Sequence, residues 1–428
     1  MPSAHPAPPA QPDPRRNPDP GPDRQPLPLA IYVLAAGTFL MGTTEFIVAG
    51  LLPEMSEAFG RSEAHTGLAI TVFAVGMIVG SPTVPLLALR LPQRLTLGLA
   101  LGVFAAAHLV TAVTDDFTLL LVARLVAGVA TGTFWALAST LATRISGPRR
   151  SSSALGIVIG GGMLATVLGV PLGSFAGQAI GWRGPFWVLA GLAVLEVVAL
   201  VLLVESRDDV GGRPSLRAEV AALRSAPLWL VLTTCAAVNA GVLSVYSYIS
   251  PLLTGTAGVD PGVVPVALAV FGLGAVVGNV VGGRMGDVRP FRTPLVTASV
   301  SAAACAALVV GSSSAVVALP AFAVLGLVGM SANPALTSLV ARYGGVGATL
   351  PNAMAPAMFN VGTAVGTAVT SAALGTSLGD RAPAVVGLVC AVLVFVPLAT
   401  LVHRQRGVTD GSRHAGLDAQ AEPALPRS

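Results

Sequence analysis

Long apolar blocks alternate with short polar stretches along nearly the whole chain. The blocks fall at residues 29–52, 66–89, 95–113, 117–141, 153–179 and 185–204, and again at 228–251, 263–282, 293–311, 315–341, 351–375 and 383–402. Each is about 20 residues long or somewhat more, the length of helix that crosses a hydrocarbon layer of roughly 30 Å. A polar linker, 205–226, divides the twelve blocks into two sets of six. Within it Leu216, Val220 and Leu223 share one helical face, which predicts a short helix lying on the membrane surface. Residues 1–28 hold eleven prolines and no apolar run, so they predict a disordered tail. That stretch also lacks the apolar region of a signal peptide, and the first block is expected to be retained. The predicted fold class is all-α integral membrane: twelve transmembrane helices in two pseudo-symmetric six-helix bundles. The bundles cover residues 29–204 and 227–402, with a second polar tail at 403–428.

Composition sharpens this picture. Charged residues are 10% of the 428 and hydrophobic ones 54%, with a mean hydropathy of +0.78. A soluble chain carries roughly a quarter charged residues. The basic residues are all arginine, 24 of them. With the N-terminus in the cytoplasm, twenty lie on the inner side, Arg61, Arg183 and Arg381 lie outside, and Arg124 lies within a helix. This positive-inside bias predicts a multi-pass protein of the cell (inner) membrane with both termini cytoplasmic. Arginines dispersed over short loops argue against a nucleic-acid partner. Cys235, Cys305 and Cys390 fall inside apolar blocks without a CxxC pair, and His108 stands alone in its block. A zinc site needs three or four converging ligands, so neither metal nor cofactor is expected. Membrane enzymes cluster His, Asp or Cys near one face, and sensors carry a soluble output domain. Neither pattern is visible.

The two sets of six blocks repeat. At a fixed offset of 198 residues, Ala69, Val72, Phe73, Gly76, Val79 and Gly80 match Ala267, Val270, Phe271, Gly274, Val277 and Gly278. Pro53 matches Pro251, Pro92 matches Pro290, Arg94 matches Arg292, Gly128 matches Gly326, Arg144 matches Arg342 and Arg183 matches Arg381. Chance in an Ala/Gly/Val-rich chain explains many Gly and Ala matches, but poorly explains loop arginines and helix-end prolines aligned without a gap. Parallel repeats with a binding site between them are a transporter architecture, and suit alternating access better than a passive channel. Residues shared by both halves read as scaffold. Polar residues present in one half only need a functional explanation.

Three ionisable side chains pass that filter. Glu45, in Gly42-Thr43-Thr44-Glu45-Phe46, corresponds to Leu243. An acid at hydrocarbon depth is costly when charged, rare and usually functional; it could load and release a proton as its surroundings alternate, or serve as a structural carboxylate. Arg124 corresponds to Phe322 and lies about seven residues inside the outer face, at the same depth as Glu45. The two are expected to meet or share a polar network, the alternative being an arginine that snorkels to the interface. Glu196, mid-way in the sixth block, reads equally as proton relay or structural partner. In the fifth block Gly169-Val170-Pro171-Leu172-Gly173 predicts a pliable, closely packed helix, because Pro171 removes a backbone hydrogen bond and Gly169 and Gly173 share a flat face. Asn239 and Tyr246 lie on one face with Leu243, the Glu45 equivalent, and Asn333 corresponds to Trp135. These four are candidate substrate contacts.

These residues resemble the major facilitator superfamily, specifically its twelve-helix drug:proton antiporters. The resemblance is carried by Thr44-Glu45-Phe46 leading to Gly50-Leu51-Leu52-Pro53, by Arg124-x-x-x-Gly128-x-x-x-Gly132, and by Gly169-Val170-Pro171-Leu172-Gly173 as a variant antiporter motif. It spans about residues 29–402. Within the superfamily the chain resembles actinobacterial chloramphenicol exporters, over Ile31 to Pro53, Arg90-Leu91-Pro92-Gln93-Arg94, and Gly169 to Gly173 followed by Gly181-Trp182-Arg183. The resemblance implies proton-driven export of a small molecule, chloramphenicol or a related drug, by a monomer in the lipid bilayer. Export of sugars or purine nucleosides by related branches is the alternative. The family's gating loop normally carries Gly-x-x-x-Asp-Arg between helices 2 and 3. Here Arg94 remains but no Asp occurs from Gly80 to Arg94, whereas the second-half loop keeps Arg284 and Asp287.

Overall fold

The computed structural model describes residues 27–87, 91–147, 150–204, 223–344 and 349–404. The proposed disordered tail, Arg90 and the linker positions Leu216 and Val220 lie outside the described residues. Twelve helices among the described residues are long and apolar enough to cross a membrane. They are α1 (Leu29–Phe59), α2 (Glu63–Pro85), α3 (Gln93–Val113), α4 (Phe117–Ser146), α5 (Ser153–Ile180) and α6 (Gly184–Leu203), then α7 (Ala226–Ser247), α8 (Pro261–Val288), α9 (Arg292–Gly311), α10 (Ala315–Gly344), α11 (Met354–Leu374) and α12 (Gly379–Arg404). With an even number of crossings, residues 27 and 404 lie at one face of the bundle, here the terminal face. The loops before α2, α4, α6, α8, α10 and α12 lie at the distal face.

Polar turns carry several helices past their apolar blocks. Although the first block stops at Leu52, α1 runs through Pro53 to Phe59 and ends where Gly60 turns left-handed (φ 58°), its N–H bonding back to Glu57 and Ser56 carbonyls. Met55 and Phe59 pack this extra turn against Trp182, Leu120 and Phe117. Asp116 caps α4, its carboxylate accepting from the Thr118 and Leu119 N–H groups at 2.6 and 3.1 Å.

The repeat has a physical basis in backbone contact. A Cβ on Gly128 would lie 2.1 Å from the Phe73 carbonyl oxygen, and one on its counterpart Gly326 would lie 2.6 Å from that of Phe271. Gly80 faces the Val129 carbonyl and Gly278 faces that of Leu327 in the same way, at 2.2 and 1.8 Å. Helices α2 and α4 therefore touch backbone to backbone, and α8 and α10 repeat the contact 198 residues later. Small residues permit that approach where lipid gives no hydrophobic drive between helices.

Helix α5 is interrupted by a π-helical turn at Ala165–Gly169, directly before Pro171. It lies against α1 with no room for side chains: a Cβ on Gly169 would sit 2.0 Å from Thr43 Oγ1, and one on Gly173 2.2 Å from Ile47 Cδ1. Hydrogen bonds join the halves at the distal face: Thr71 to Thr367 between hydroxyls (2.8 Å), Ser371 Oγ to the Ala64 carbonyl (2.7 Å) and Gln178 Nε2 to the Pro261 carbonyl (3.0 Å). There too the Tyr248 hydroxyl occupies the space that a Cβ on Gly67 would need.

Candidate functional site

Four helices, two from each half, line a small cavity between the halves. Glu45, Phe46 and Ala49 face it from α1, Ile70, Phe73 and Ala74 from α2, Leu243, Tyr246 and Ser247 from α7, and Asn360 and Thr363 from α11. Helical periodicity puts Glu45 and Ala49 on one face, and Leu243 with Tyr246 or Ser247 on another. Both halves give the lining aromatic rings, Phe46 and Phe73 from the first and Tyr246 from the second. Tyr246 meets Phe46 edge-on at 5.6 Å between ring centroids and Phe271 behind it at 4.8 Å, while Phe322 stacks on Phe271 at 4.8 Å. Glu45 is the acid in this lining, half-buried, and its carboxylate makes no hydrogen bond among the described residues.

Arg124 stands behind it, fully buried. No ion pair joins the two. The guanidinium instead donates from Nη1 to Thr44 Oγ1 (2.9 Å), from Nη2 to the Thr44 carbonyl (3.1 Å) and from Nε to the Ala69 carbonyl (3.4 Å), and lies 4.2 Å from the centroid of the Phe73 ring. Desolvation of a guanidinium is severe at this depth, and three acceptors with an aromatic face offset it. The second half solves the same packing problem without charge: Phe322, the counterpart of Arg124, stacks on Phe271, the counterpart of Phe73.

Other singled-out residues lie elsewhere. Glu196 is buried within the first half against α1 at Gly37, with Oε1 unpartnered. Gly37 is eight residues before Glu45, about 12 Å along the helix. Asn239, Asn333 and Trp135 do not line the cavity; each has a buried polar atom without a partner, Asn239 Oδ1, Asn333 Oδ1 and Trp135 Nε1. Trp135 fills the space beside Gly162, and Asn333 starts the second segment of α10 after a break at Met330–Ala332. At the terminal face Arg94 bonds to the Val201 carbonyl at the end of α6, while Arg284 and Asp287 are exposed on the last turn of α8, with no ion pair among the described residues.

Sequence reading overlooked Ser247, Asn360 and Thr363, and treated His108 as isolated. His108 is buried, accepting from or donating to Thr44 Oγ1 at 2.6 Å and bonded to the Phe104 carbonyl at 2.7 Å. The repeat held the missing signal: the counterparts of these four at the same offset are Ala49, Gly162, Ala165 and Ala306. All four are polar in one half only.

Two pseudo-symmetric six-helix bundles with a cavity between them are a transporter architecture. The chain matches the model of the Major Facilitator Superfamily over residues 34–350 and belongs to that superfamily. It is 34% identical over 382 residues to a chloramphenicol resistance protein of Streptomyces lividans, covering 88% of this chain and 97% of that one. It is 30% identical over 262 residues to a probable sugar efflux transporter of Helicobacter acinonychis, covering 61% and 67%. The fold is similar to that of a bacterial homologue of the human lysosomal transporter Spinster, with a TM-score of 0.68 at 16% identity over 88% of this chain and 97% of that one.

Proposed function

We propose that this transporter is a proton-coupled antiporter that exports chloramphenicol or a related small drug by alternating access. One observation carries the reading: the acid of the central cavity, Glu45, faces the space between the halves with a buried arginine behind it, and neither has a counterpart in the other half. A carboxyl so placed can take a proton on one side of the membrane and release it on the other as the bundles rock. Each charge moved gains about 2.3 kcal/mol per 100 mV. The aromatic wall at Tyr246 and the polar groups of Ser247, Asn360 and Thr363 suit a substrate that is largely apolar with a few hydrogen-bonding groups. The similarity to a chloramphenicol resistance protein supports the substrate class; the weaker similarity to probable sugar efflux transporters keeps a sugar as the second reading.

The arginine distribution supports termini on the cytoplasmic side, so the distal face is external and the described state is closed to the outside. Proton coupling is tested in everted membrane vesicles supplied externally with radiolabelled chloramphenicol, with and without an uncoupler. Wild-type protein accumulates drug only with a gradient, and Glu45→Gln abolishes accumulation while retaining exchange. Undiminished gradient-driven uptake by Glu45→Gln would refute Glu45 as the carrier, and protection by the protein against toxic sugar analogues but not phenicols would favour the second reading.

A further inference from the structure

The guanidinium of Arg124 is held away from the cavity acid by a chain of hydrogen bonds with one direction. The Phe104 carbonyl can only accept, so His108 Nδ1 carries the hydrogen of the 2.7 Å contact. In the neutral ring Nε2 is then an acceptor, and the Thr44 hydroxyl, 2.6 Å away, donates to it. That leaves the Thr44 oxygen free to accept from Arg124 Nη1 at 2.9 Å. Both ring nitrogens and the Thr44 hydroxyl are satisfied, and each bond polarises the next, making Thr44 a better acceptor for the arginine. A protonated ring would point a second N–H at the same oxygen and strand the hydroxyl hydrogen.

The behaviour of the neighbouring threonine shows that this is imposed from outside helix α1. Thr43 donates to the carbonyl four residues back, that of Phe39, at 2.8 Å, as threonines in helices commonly do. Thr44 does not; its hydroxyl is turned to His108, whose ring is pinned by stacking on Phe104 at 3.9 Å and by Phe186 at 5.9 Å. The set also belongs to one half as a unit. Thr44, Glu45, His108 and Arg124 correspond to Val242, Leu243, Ala306 and Phe322. The ionisable groups that meet this cluster are Glu45 from α1, Arg124 from α4 and Tyr246 from α7; α2 and α6 present Phe73 and Phe186.

We infer that His108 is a positioning residue: through Thr44 it parks Arg124 off the Glu45 carboxylate and so sets how readily that acid exchanges its proton. The inference rests on the reading of Glu45 as the proton carrier. Without the imidazole, the Thr44 hydroxyl is free to turn back onto its own helix, and Arg124, losing one acceptor, swings to the carboxylate next door. A cation in contact with a carboxyl favours the charged form by about one to three pH units.

The test is pH-dependent labelling of the purified full-length protein by dicyclohexylcarbodiimide, which reacts with protonated buried carboxyls, read at Glu45 by peptide mass spectrometry. His108→Leu is expected to move the pH of half-maximal labelling toward acid by about one unit or more, roughly tenfold in proton concentration. His108→Gln, which can still accept from Thr44, stays near wild type. Thr44→Val reproduces the shift and Thr44→Ser does not, which guards against His108→Leu simply failing to fold. An unchanged profile in both His108→Leu and Thr44→Val, or equal shifts in His108→Gln and His108→Leu, overturns the positioning role. If Glu45→Gln vesicles still accumulate drug normally while these profiles shift as expected, the carrier assignment has failed and the tether stands.

Discussion

At the scale of single residues, the site is a problem in desolvation. Arg124 keeps its charge out of water by three acceptors and a ring face, and the geometry of those acceptors requires a planar fork. Lysine cannot reach the Thr44 hydroxyl, the Thr44 carbonyl and the Ala69 carbonyl together. Arg124→Lys is therefore expected to leave the folded protein in the membrane but to abolish gradient-driven drug accumulation, with a loss of about 1–3 kcal/mol in thermal stability from acceptors left unpaired. At the surface, Asp116 is held below its ordinary value of 3.8 by the Leu119 and Thr118 N–H groups that it caps. Its folded-state value is depressed, so its stabilising contribution is complete above that ordinary value and fades as the pH falls below it. Asp116→Ala should lower the thermal unfolding midpoint at neutral pH, and the difference from wild type should vanish on acidification through that window.

Elements are held together by glycines that meet backbone rather than side chains. Alanine at Gly128 or Gly326 would drive a methyl into the Phe73 or Phe271 carbonyl, at 2.1 and 2.6 Å, which only a shift of a whole helix relieves. Both substitutions should cost about 1–3 kcal/mol in thermal stability, whereas Gly102→Ala, with nothing within 4 Å of the added carbon, should be neutral or slightly stabilising. Gly169 is a different case. Its neighbour is the Thr43 hydroxyl, a side chain, and it closes the π-helical turn beside Pro171. If α5 flexes there during transport, Gly169→Ala will slow drug exchange more than it lowers the unfolding midpoint; parallel measurement of the two separates hinge from packing.

The whole molecule is closed at the distal face by contacts between halves, including Ser371 to the Ala64 carbonyl at 2.7 Å. A disulfide between Ala64→Cys and Ser371→Cys should fix that closure. Vesicle uptake by the oxidised double variant is expected to stop and to return on addition of reductant. Uptake that continues with the crosslink in place would mean that this face need not open.

Much of this was already written in the linear chain. Twelve apolar blocks of bilayer length can satisfy their backbone in lipid only as helices, and matching prolines, glycines and arginines at one offset declare two similar halves. Glu45 and Arg124 were visible because a charge inside an apolar block is conspicuous by itself. Partnership was not visible. Helix α1 places Thr44 against α4 and α3 at once, so the arginine sits on the residue before the acid, and a histidine 64 positions away completes the bond network. Trp135, Asn239 and Asn333 looked like equally good cavity residues, yet the rotation of α4, α7 and α10 turns them off the cavity lining, while Ser247, Asn360 and Thr363 are turned into it. Local sequence fixes which segments are helices and which charges they must bury; the rotation and crossing of packed helices, set by backbone contacts at glycines, decide which of those side chains meet.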